Sequence, residues 1–134
     1  MADFVVALVV VAFVALIPAA GSGRRMARET PKQYVRLAGM PMLYHAVRSL
    51  AAEPIDTVFV VLAPGDGLFA RHDWGEVDGR LEPLYCGGAT RRESVYNGLI
   101  AAMTSVDADD WVLVHDAARP CLPREDLDRL IAEV

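Results

Sequence analysis

The sequence contains almost no lysine: 12 of its 13 basic residues are arginine, and Lys32 is the only lysine among 134 residues. An ammonium group is a compact point charge, whereas a guanidinium group is a planar fork. A chain that carries its other positive charges on arginine but keeps one lysine therefore indicates a site that requires an ammonium group. Lys32 follows a loop of small residues that leaves an apolar run, and such loops present backbone N–H groups to phosphate. We therefore predict that Lys32 is a phosphate ligand.

Cysteine is also scarce, and the sequence has no segment typical of a membrane span. Cys86 and Cys121 form neither a CxxC pair nor part of a cluster with zinc-ligand spacing, which favours a reduced, cytoplasmic protein. The apolar run over residues 4–17 is shorter than the roughly 18–20 residues that a membrane helix needs. Because no basic residue precedes this run, a secretory signal is disfavoured as well. We predict that the run ends in a buried strand and that residues 1–10 are an apolar N-terminal extension.

The chain lacks the excess of positive charge that is typical of nucleic-acid-binding proteins, because its net charge is -5 at pH 7. Residues 24–36 are an exception, with five cations and a single anion, Glu29. A small cationic region on an acidic protein favours a small polyanion over a long one. With 54% hydrophobic and 23% charged residues, the chain is predicted to be one globular domain that binds small molecules and neither nucleic acid nor membranes.

Strand-like and helix-like segments alternate along the chain. Apolar runs predict strands that end at Ile17 or cover residues 57–62, 81–86 and 111–115. Helical spacing predicts helices over residues 41–52 and 91–103 and from 124 onward, and the second should turn Val95, Leu99 and Met103 inward. This order is typical of a three-layer α/β domain with a mostly parallel sheet. Because the last helix ends on apolar residues and one flank of the sheet would be uncovered, we expect a longer domain, truncated here on its C-terminal side.

Three unusual segments each follow a predicted strand. Small residues at 19–23 follow the first strand, a glycine pair at 87–88 follows the third, and Asp116 follows the fourth. In parallel sheets, ligands bind beyond the carboxyl ends of the strands, where the winding direction reverses. We therefore expect these segments to form one ligand site.

Gly21 and Gly23 complete neither of the two common phosphate-binding motifs. The dinucleotide fingerprint needs a third glycine where the sequence has Met26, and the acidic residue expected after the second strand is absent. A P-loop needs glycine before the lysine and Ser or Thr after it, but Lys32 follows proline and precedes glutamine. We predict instead a wide loop whose amides surround a triphosphate, with Arg25 and Lys32 against it. The alternative is an ordinary strand–helix turn with solvated arginines.

Two other segments can complete a nucleotide site. Asp116, which is followed by Ala117, can hold Mg²⁺ against phosphate oxygens, although it can also be a simple turn cap. Gly88 can bring the backbone close to a flat base to which Ser94 would bond. Its alternative is a plain helix start with Thr90 as the N-cap.

Four stretches together closely resemble the 2-C-methyl-D-erythritol 4-phosphate cytidylyltransferase family of the non-mevalonate isoprenoid pathway. They are PAAGSGRRM at 18–26, PKQY at 31–34, GGATRRESV at 87–95 and VLVHDAARP at 112–120. The resemblance begins near Val14 and implies a Rossmann-like nucleotidyltransferase fold. It also implies transfer of CMP from CTP to 2-C-methyl-D-erythritol 4-phosphate, with Mg²⁺ and with release of pyrophosphate.

The resemblance assigns roles to several of the matching residues. Arg25 and Lys32 would stabilise the transition state, Asp116 would help to hold the metal, and Arg119 would lie near the incoming polyol phosphate. The CTP site would be lined by Ala19, Ala20, Gly21, Gly23 and Ala117. The cytosine of CTP would be bound by Gly88 and Ser94. Members of the family continue for roughly a hundred residues more, within ordinary domain lengths. In the family, those further residues include a dimerising arm and residues that position the polyol phosphate. The resemblance therefore implies a homodimer for the full-length protein and weak activity for this portion alone.

Other functions remain open at this point. A ribitol 5-phosphate cytidylyltransferase would use the same chemistry with another acceptor, although such relatives tend to have valine where this chain has Ala118. A nucleotide-binding module without catalysis is disfavoured by the joint presence of Arg25, Lys32 and Asp116. An NAD-dependent oxidoreductase is disfavoured by the incomplete glycine fingerprint.

Overall fold

A four-stranded sheet forms the centre of the protein in a computed structural model that describes residues 11–21, 30–119 and 121–134. Its strands are β1 (Phe13–Ala19), β4 (Ile55–Leu62), β5 (Leu81–Leu84) and β6 (Trp111–Val114). The short strands β2 (Arg36–Leu37) and β3 (Met40–Pro41) form a separate antiparallel pair. The helices are α1 (Met42–Leu50), α2 (Arg91–Ala102) and α3 (Arg124–Ala132). Short 3-10 turns cover Lys32–Tyr34, Phe69–Arg71 and Gly75–Arg80.

The strand order is β5-β4-β1-β6, and all three neighbouring pairs are parallel. The chain moves outward from β1 to β4 and β5, and then returns to pair β6 with the other side of β1. The winding direction therefore reverses between β1 and β6, where parallel sheets bind their ligands. The predicted α/β class with a mostly parallel sheet is confirmed.

The sheet is buried on both faces, which explains why its strands show no alternation of apolar and polar residues. Along β1, Ala15 and Ile17 contact one core cluster, while Val14 and Leu16 contact the other. Helices α1 and α3 cover the first face, and α2 covers the second. These are the three layers that the sequence predicts.

Helix α2 packs through a different face from the predicted one. Its buried residues are Ser94, Gly98 and Ala102, whereas Met103 is 72% exposed, so its predicted inward position is wrong. Val95 and Leu99 are partly buried. A Cβ atom on Gly98 would lie 2.4 Å from Cγ2 of Val61, so only glycine allows the helix to lie this close to the sheet. Because α2 approaches the sheet through its small residues, its larger apolar side chains lie at the edge of the contact.

The predicted element boundaries agree with the structure to within two residues. The segment after β4, for which the sequence has no clear pattern, forms the two later 3-10 turns. The predicted N-terminal extension at 1–10 lies outside the described residues. Within the described part of the chain, none of the helices has the length and apolar character needed to cross a membrane.

Candidate functional site

The carboxyl ends of the strands bring the predicted site segments to one edge of the sheet. The backbone N–H of Gly87 donates to the carbonyl of Leu62 at the end of β4, at 2.8 Å. A Cβ atom on Gly87 would lie 2.2 Å from Cβ of Ala20, just after β1. The loop after β5 is therefore in direct contact with the loop after β1 and with the end of β4. This contact requires a glycine at 87 and a small residue at 20.

Lys32 reaches the same edge through the first 3-10 turn. The turn begins after Pro31, whose carbonyl accepts a hydrogen bond from the Tyr34 backbone at 2.9 Å. Next to the exposed Lys32, the side chain of Gln33 is only 6% exposed. Its Nε2 donates to the carbonyls of Ala19 and Gly21, at 2.8 and 3.0 Å. The predicted phosphate-binding lysine is thus adjacent to a residue that bonds the loop after β1.

Tyr34 bonds the other side of the turn to the loop after β4. Its hydroxyl donates to Oδ2 of Asp66 at 2.6 Å, and Oδ1 of Asp66 accepts from the backbone of Leu68 and Phe69 at 2.8 and 2.9 Å. The Tyr34 ring also stacks on His72, with 5.6 Å between ring centroids. Burial, followed by the hydrogen bond to the Asp66 carboxylate, raises the pKa of Tyr34 well above its usual range.

We expect Tyr34 to make stability depend on alkaline pH. The neutral phenol is favoured in the folded protein, so its contribution is full below the unfolded pKa of about 10 and falls as pH rises toward the raised folded value. Comparing wild type with Tyr34→Phe, the advantage of wild type should shrink by about 1.4 kcal/mol between pH 8 and pH 11. Urea unfolding at both pH values measures it. A difference that stays constant would mean that Tyr34 ionises normally.

The site also includes a cleft of about 330 Å³. It lies between the loop after β1, the Lys32 turn and the loop after β4. Its lining residues are Ala20, Gly21, Pro31, Gln33, Ala63, Gly65, Asp66, Gly67 and Leu68. Two of the predicted nucleotide-binding residues, Ala20 and Gly21, therefore face open space at the strand ends.

Asp116 lies just after β6 and pairs with two arginines. Its Oδ1 accepts from Nε of Arg91 at 2.9 Å and lies 2.7 Å from Nη2 of the same guanidinium. Its Oδ2 lies 3.3 Å from Nε of Arg119. The hydrogen bond from Arg91 holds the pKa of Asp116 below its usual range. Among the described residues, the Asp116 carboxylate bonds arginine side chains and caps no turn. Because its pKa is lowered, the carboxylate is ionised at neutral pH.

The described residues include no group of three or more His, Cys, Asp or Glu side chains arranged to hold a metal ion. Mg²⁺, however, is usually held by one or two carboxylates together with substrate phosphates and waters. A single ionised and partly exposed carboxylate at a strand end fits that donor set once a phosphate ligand is present. Asp116 is therefore compatible with the predicted metal only as part of a joint site with nucleotide.

The loop between β5 and α2 is fixed by side chains at the start of the helix. Oγ1 of Thr90 accepts from the backbone of Glu93 at 3.1 Å, which confirms Thr90 as the N-cap. Oγ of Ser94, a residue that is 2% exposed, accepts from the backbone N–H of Gly88 at 3.0 Å. Nδ2 of Asn97 donates to the carbonyl of Cys86 at 3.0 Å. The bond between Gly88 and Ser94 holds these two residues together at the carboxyl-end edge of the sheet.

Several predicted site residues meet here, and two lie outside the described residues. Gly23 and Arg25 belong to the second group, so their roles stay predictions. Three residues that connect the loops at this edge were not predicted: Gln33, Tyr34 and Asp66. The pairing of Arg91 with Asp116 was not predicted either. Gln33 and Tyr34 are part of the PKQY stretch, but nothing in their sequence pattern predicts that both are buried.

Similarity to solved structures defines the class of the domain. A crystal structure of 4-diphosphocytidyl-2C-methyl-D-erythritol synthase is 35% identical to this chain and superposes with a TM-score of 0.75. The match covers 91% of this chain and 53% of that one. The chain is thus an α/β domain of the Rossmann-like nucleotidyltransferase type.

Named relatives define the family. A 2-C-methyl-D-erythritol 4-phosphate cytidylyltransferase of Nitrosospira multiformis is 58% identical over 125 residues, covering 91% of this chain and 54% of the relative. One of Laribacter hongkongensis is 61% identical over 118 residues, covering 87% and 50%. The sequence pattern of the 2-C-methyl-D-erythritol 4-phosphate cytidylyltransferase family matches residues 13–134. The chain belongs to this family, and it spans about half the length of these relatives.

Proposed function

We propose that this chain supplies the CTP-binding half of an enzyme that transfers CMP from CTP to 2-C-methyl-D-erythritol 4-phosphate. Family membership supports the reaction. The observation that carries the proposal is the joint position of Lys32 and Asp116 at the edge where the sheet reverses its winding. A cation beside a loop and a carboxylate after β6 are the groups that a nucleoside triphosphate and its metal need.

In this reaction a phosphate oxygen of the polyol attacks the α-phosphorus of CTP. A new P–O bond forms as the bond to the bridging oxygen of the β-phosphate breaks, and pyrophosphate leaves with the electron pair. Such transfers need little covalent chemistry from the protein, so charge placement dominates. We assign transition-state stabilisation to Lys32 and Arg25. The backbone at Ala19, Ala20, Gly21 and Gly23 would line the phosphates.

Asp116 is the residue that would hold the metal. When bound, Mg²⁺ withdraws charge from the phosphate oxygens of CTP and makes the α-phosphorus easier to attack. Arg91 and Arg119, which pair with Asp116, keep this carboxylate ionised and oriented at the end of β6. Ala117, directly after it, is small enough to leave space for the sugar.

The base would lie at the start of α2. Because a hydroxyl group both accepts and donates, Ser94 can keep its bond to the Gly88 backbone and still offer a proton to cytosine. Arg119 has a largely exposed guanidinium that can bind the phosphate of the polyol. The full-length protein would act as a homodimer.

A chimera tests the proposed reaction. It joins residues 13–134 of this chain to the second half of the Nitrosospira multiformis relative and is called the chimera below. We expect pyrophosphate release with CTP and 2-C-methyl-D-erythritol 4-phosphate in the presence of Mg²⁺. The unmodified relative is the positive control. Release only with ribitol 5-phosphate, or none while the relative is active, would contradict the proposal.

A further inference from the structure

The side chain of Gln33 connects two separate parts of the candidate phosphate site. Both of its described hydrogen bonds run from Nε2 to backbone carbonyls at the end of β1, those of Ala19 and Gly21. The residue before it in the same turn is Lys32. A single carboxamide therefore joins the segment that carries the lysine to the loop that would surround the phosphates.

Burial makes this connection rigid. Among the described residues, Gln33 and Ser94 are the two polar residues in the buried class. A buried amide without hydrogen-bond partners costs free energy, so the two Nε2 hydrogens have a strong preference for these two carbonyls. Any shift of the turn away from residues 19–21 would break both hydrogen bonds of this buried amide.

The opposite side of the turn is held independently. Tyr34 bonds Asp66, and Asp66 in turn bonds the backbone of the loop after β4. Lys32 thus precedes two adjacent buried side chains, one fixed to the loop after β1 and the other to the loop after β4. Its main chain has little freedom relative to either strand end, although its own side chain is exposed.

We infer that Gln33 is a positioning residue, which sets Lys32 at a fixed distance from the loop at 19–21 so that both bind the same phosphate chain. The inference rests on the proposed function, because it requires CTP phosphates at this edge. Gln33 is 6% exposed, and its two described hydrogen bonds run to the loop backbone, so we assign it no direct bond to the phosphates. Its effect on CTP passes through Lys32 and the loop carbonyls.

The single lysine of the chain allows a direct test. Reductive ¹³C-methylation of the 134-residue chain labels one lysine, Lys32, and the N-terminal amine, and it preserves the positive charge. CTP with Mg²⁺ should shift the Lys32 dimethyl resonance saturably in wild type. In Gln33→Met, which is similar in size but has no donor, we expect the dissociation constant for CTP to rise about fivefold and the Lys32 shift to shrink.

Gln33→Glu is the second variant, in case the methionine variant does not fold. At pH 8 the introduced carboxylate would face two carbonyl oxygens, so CTP affinity should fall at least as far as in Gln33→Met. At pH 5 the same carboxyl group, once protonated, can donate one hydrogen bond, and the deficit relative to wild type at the same pH should decrease. Gln33→Met should show no such recovery.

Trp74→Phe is the matched control for stability. It removes another buried bond from a side-chain N–H to a backbone carbonyl, that of Trp74 Nε1 to Phe69, without touching residues 19–21. It should lower the urea midpoint but leave the dissociation constant for CTP within twofold of wild type. If both Gln33 variants also bind CTP within twofold of wild type, Gln33 has no positioning role. If CTP does not move the wild-type Lys32 resonance at all, the proposed phosphate site itself is wrong.

Discussion

Lys32→Ala in the chimera should lower kcat by about 10²–10³-fold and weaken CTP binding only a few-fold. The ammonium group acts where negative charge gathers as the α-phosphorus becomes five-coordinate, so its contribution is larger in the transition state than in the bound ground state. Pyrophosphate release gives kcat and KM, and calorimetry gives the dissociation constant for CTP.

Two variants separate this specific role from the general positive charge of residues 24–36. Arg36→Ala removes an exposed cation four residues away, on β2, and should leave both constants near wild type. Lys32→Arg keeps the charge but replaces a compact ammonium with a planar fork, so it should restore CTP affinity and only part of kcat. An unchanged kcat in Lys32→Ala would remove this residue from the mechanism.

Asp116→Asn in the chimera should lower kcat/KM by at least about 10²-fold and raise the Mg²⁺ concentration needed for half-maximal rate. The change removes the negative charge that would hold the metal, and it removes the charged partner of Arg91. Initial rates over a range of CTP concentrations give kcat/KM, and a Mg²⁺ titration at saturating CTP gives the metal requirement.

Asp110→Asn is the control for this change, because Asp110 lies just before the same strand, at its opposite end. Its carboxylate accepts hydrogen bonds from the backbone of Ala12 and Asp107, and an amide oxygen can replace one of these acceptors. We expect this variant to keep the wild-type response to Mg²⁺. A Mg²⁺ dependence that is the same in Asp116→Asn and wild type would show that another residue holds the metal.

The fold could be predicted because its strands are buried on both faces. Uninterrupted apolar runs such as the one in β4 are typical of that environment, and the glycines and prolines between them mark the ends of elements. The inward face of α2 could not be predicted in the same way. Helical spacing of apolar residues predicts a buried face made of large side chains. The helix instead contacts the sheet at Gly98, because the absence of a side chain allows closer approach.

The structure brings the predicted segments to one edge of the sheet, but the sequence did not predict the contacts between them. Strand ends could be located from the sequence, so Ala20, Gly88 and Asp116 were expected at one edge. The pairing of Arg91 with Asp116 joins residues 25 positions apart and depends on where the start of α2 lies relative to the end of β6. The burial of Gln33 is equally a tertiary effect, since glutamine after a lysine is usually solvated.

The contact between Gly87 and Ala20 limits how this domain can be redesigned. Any larger residue at 87 would overlap both the Ala20 methyl group and the Leu62 carbonyl, which lies 2.8 Å from a Cβ placed there. Ala20→Gly would remove the first overlap, but the Leu62 carbonyl belongs to the backbone and would still exclude a side chain at 87. A library intended to change nucleotide preference should therefore leave both codons fixed and vary Ala89, whose side chain is exposed on the same loop.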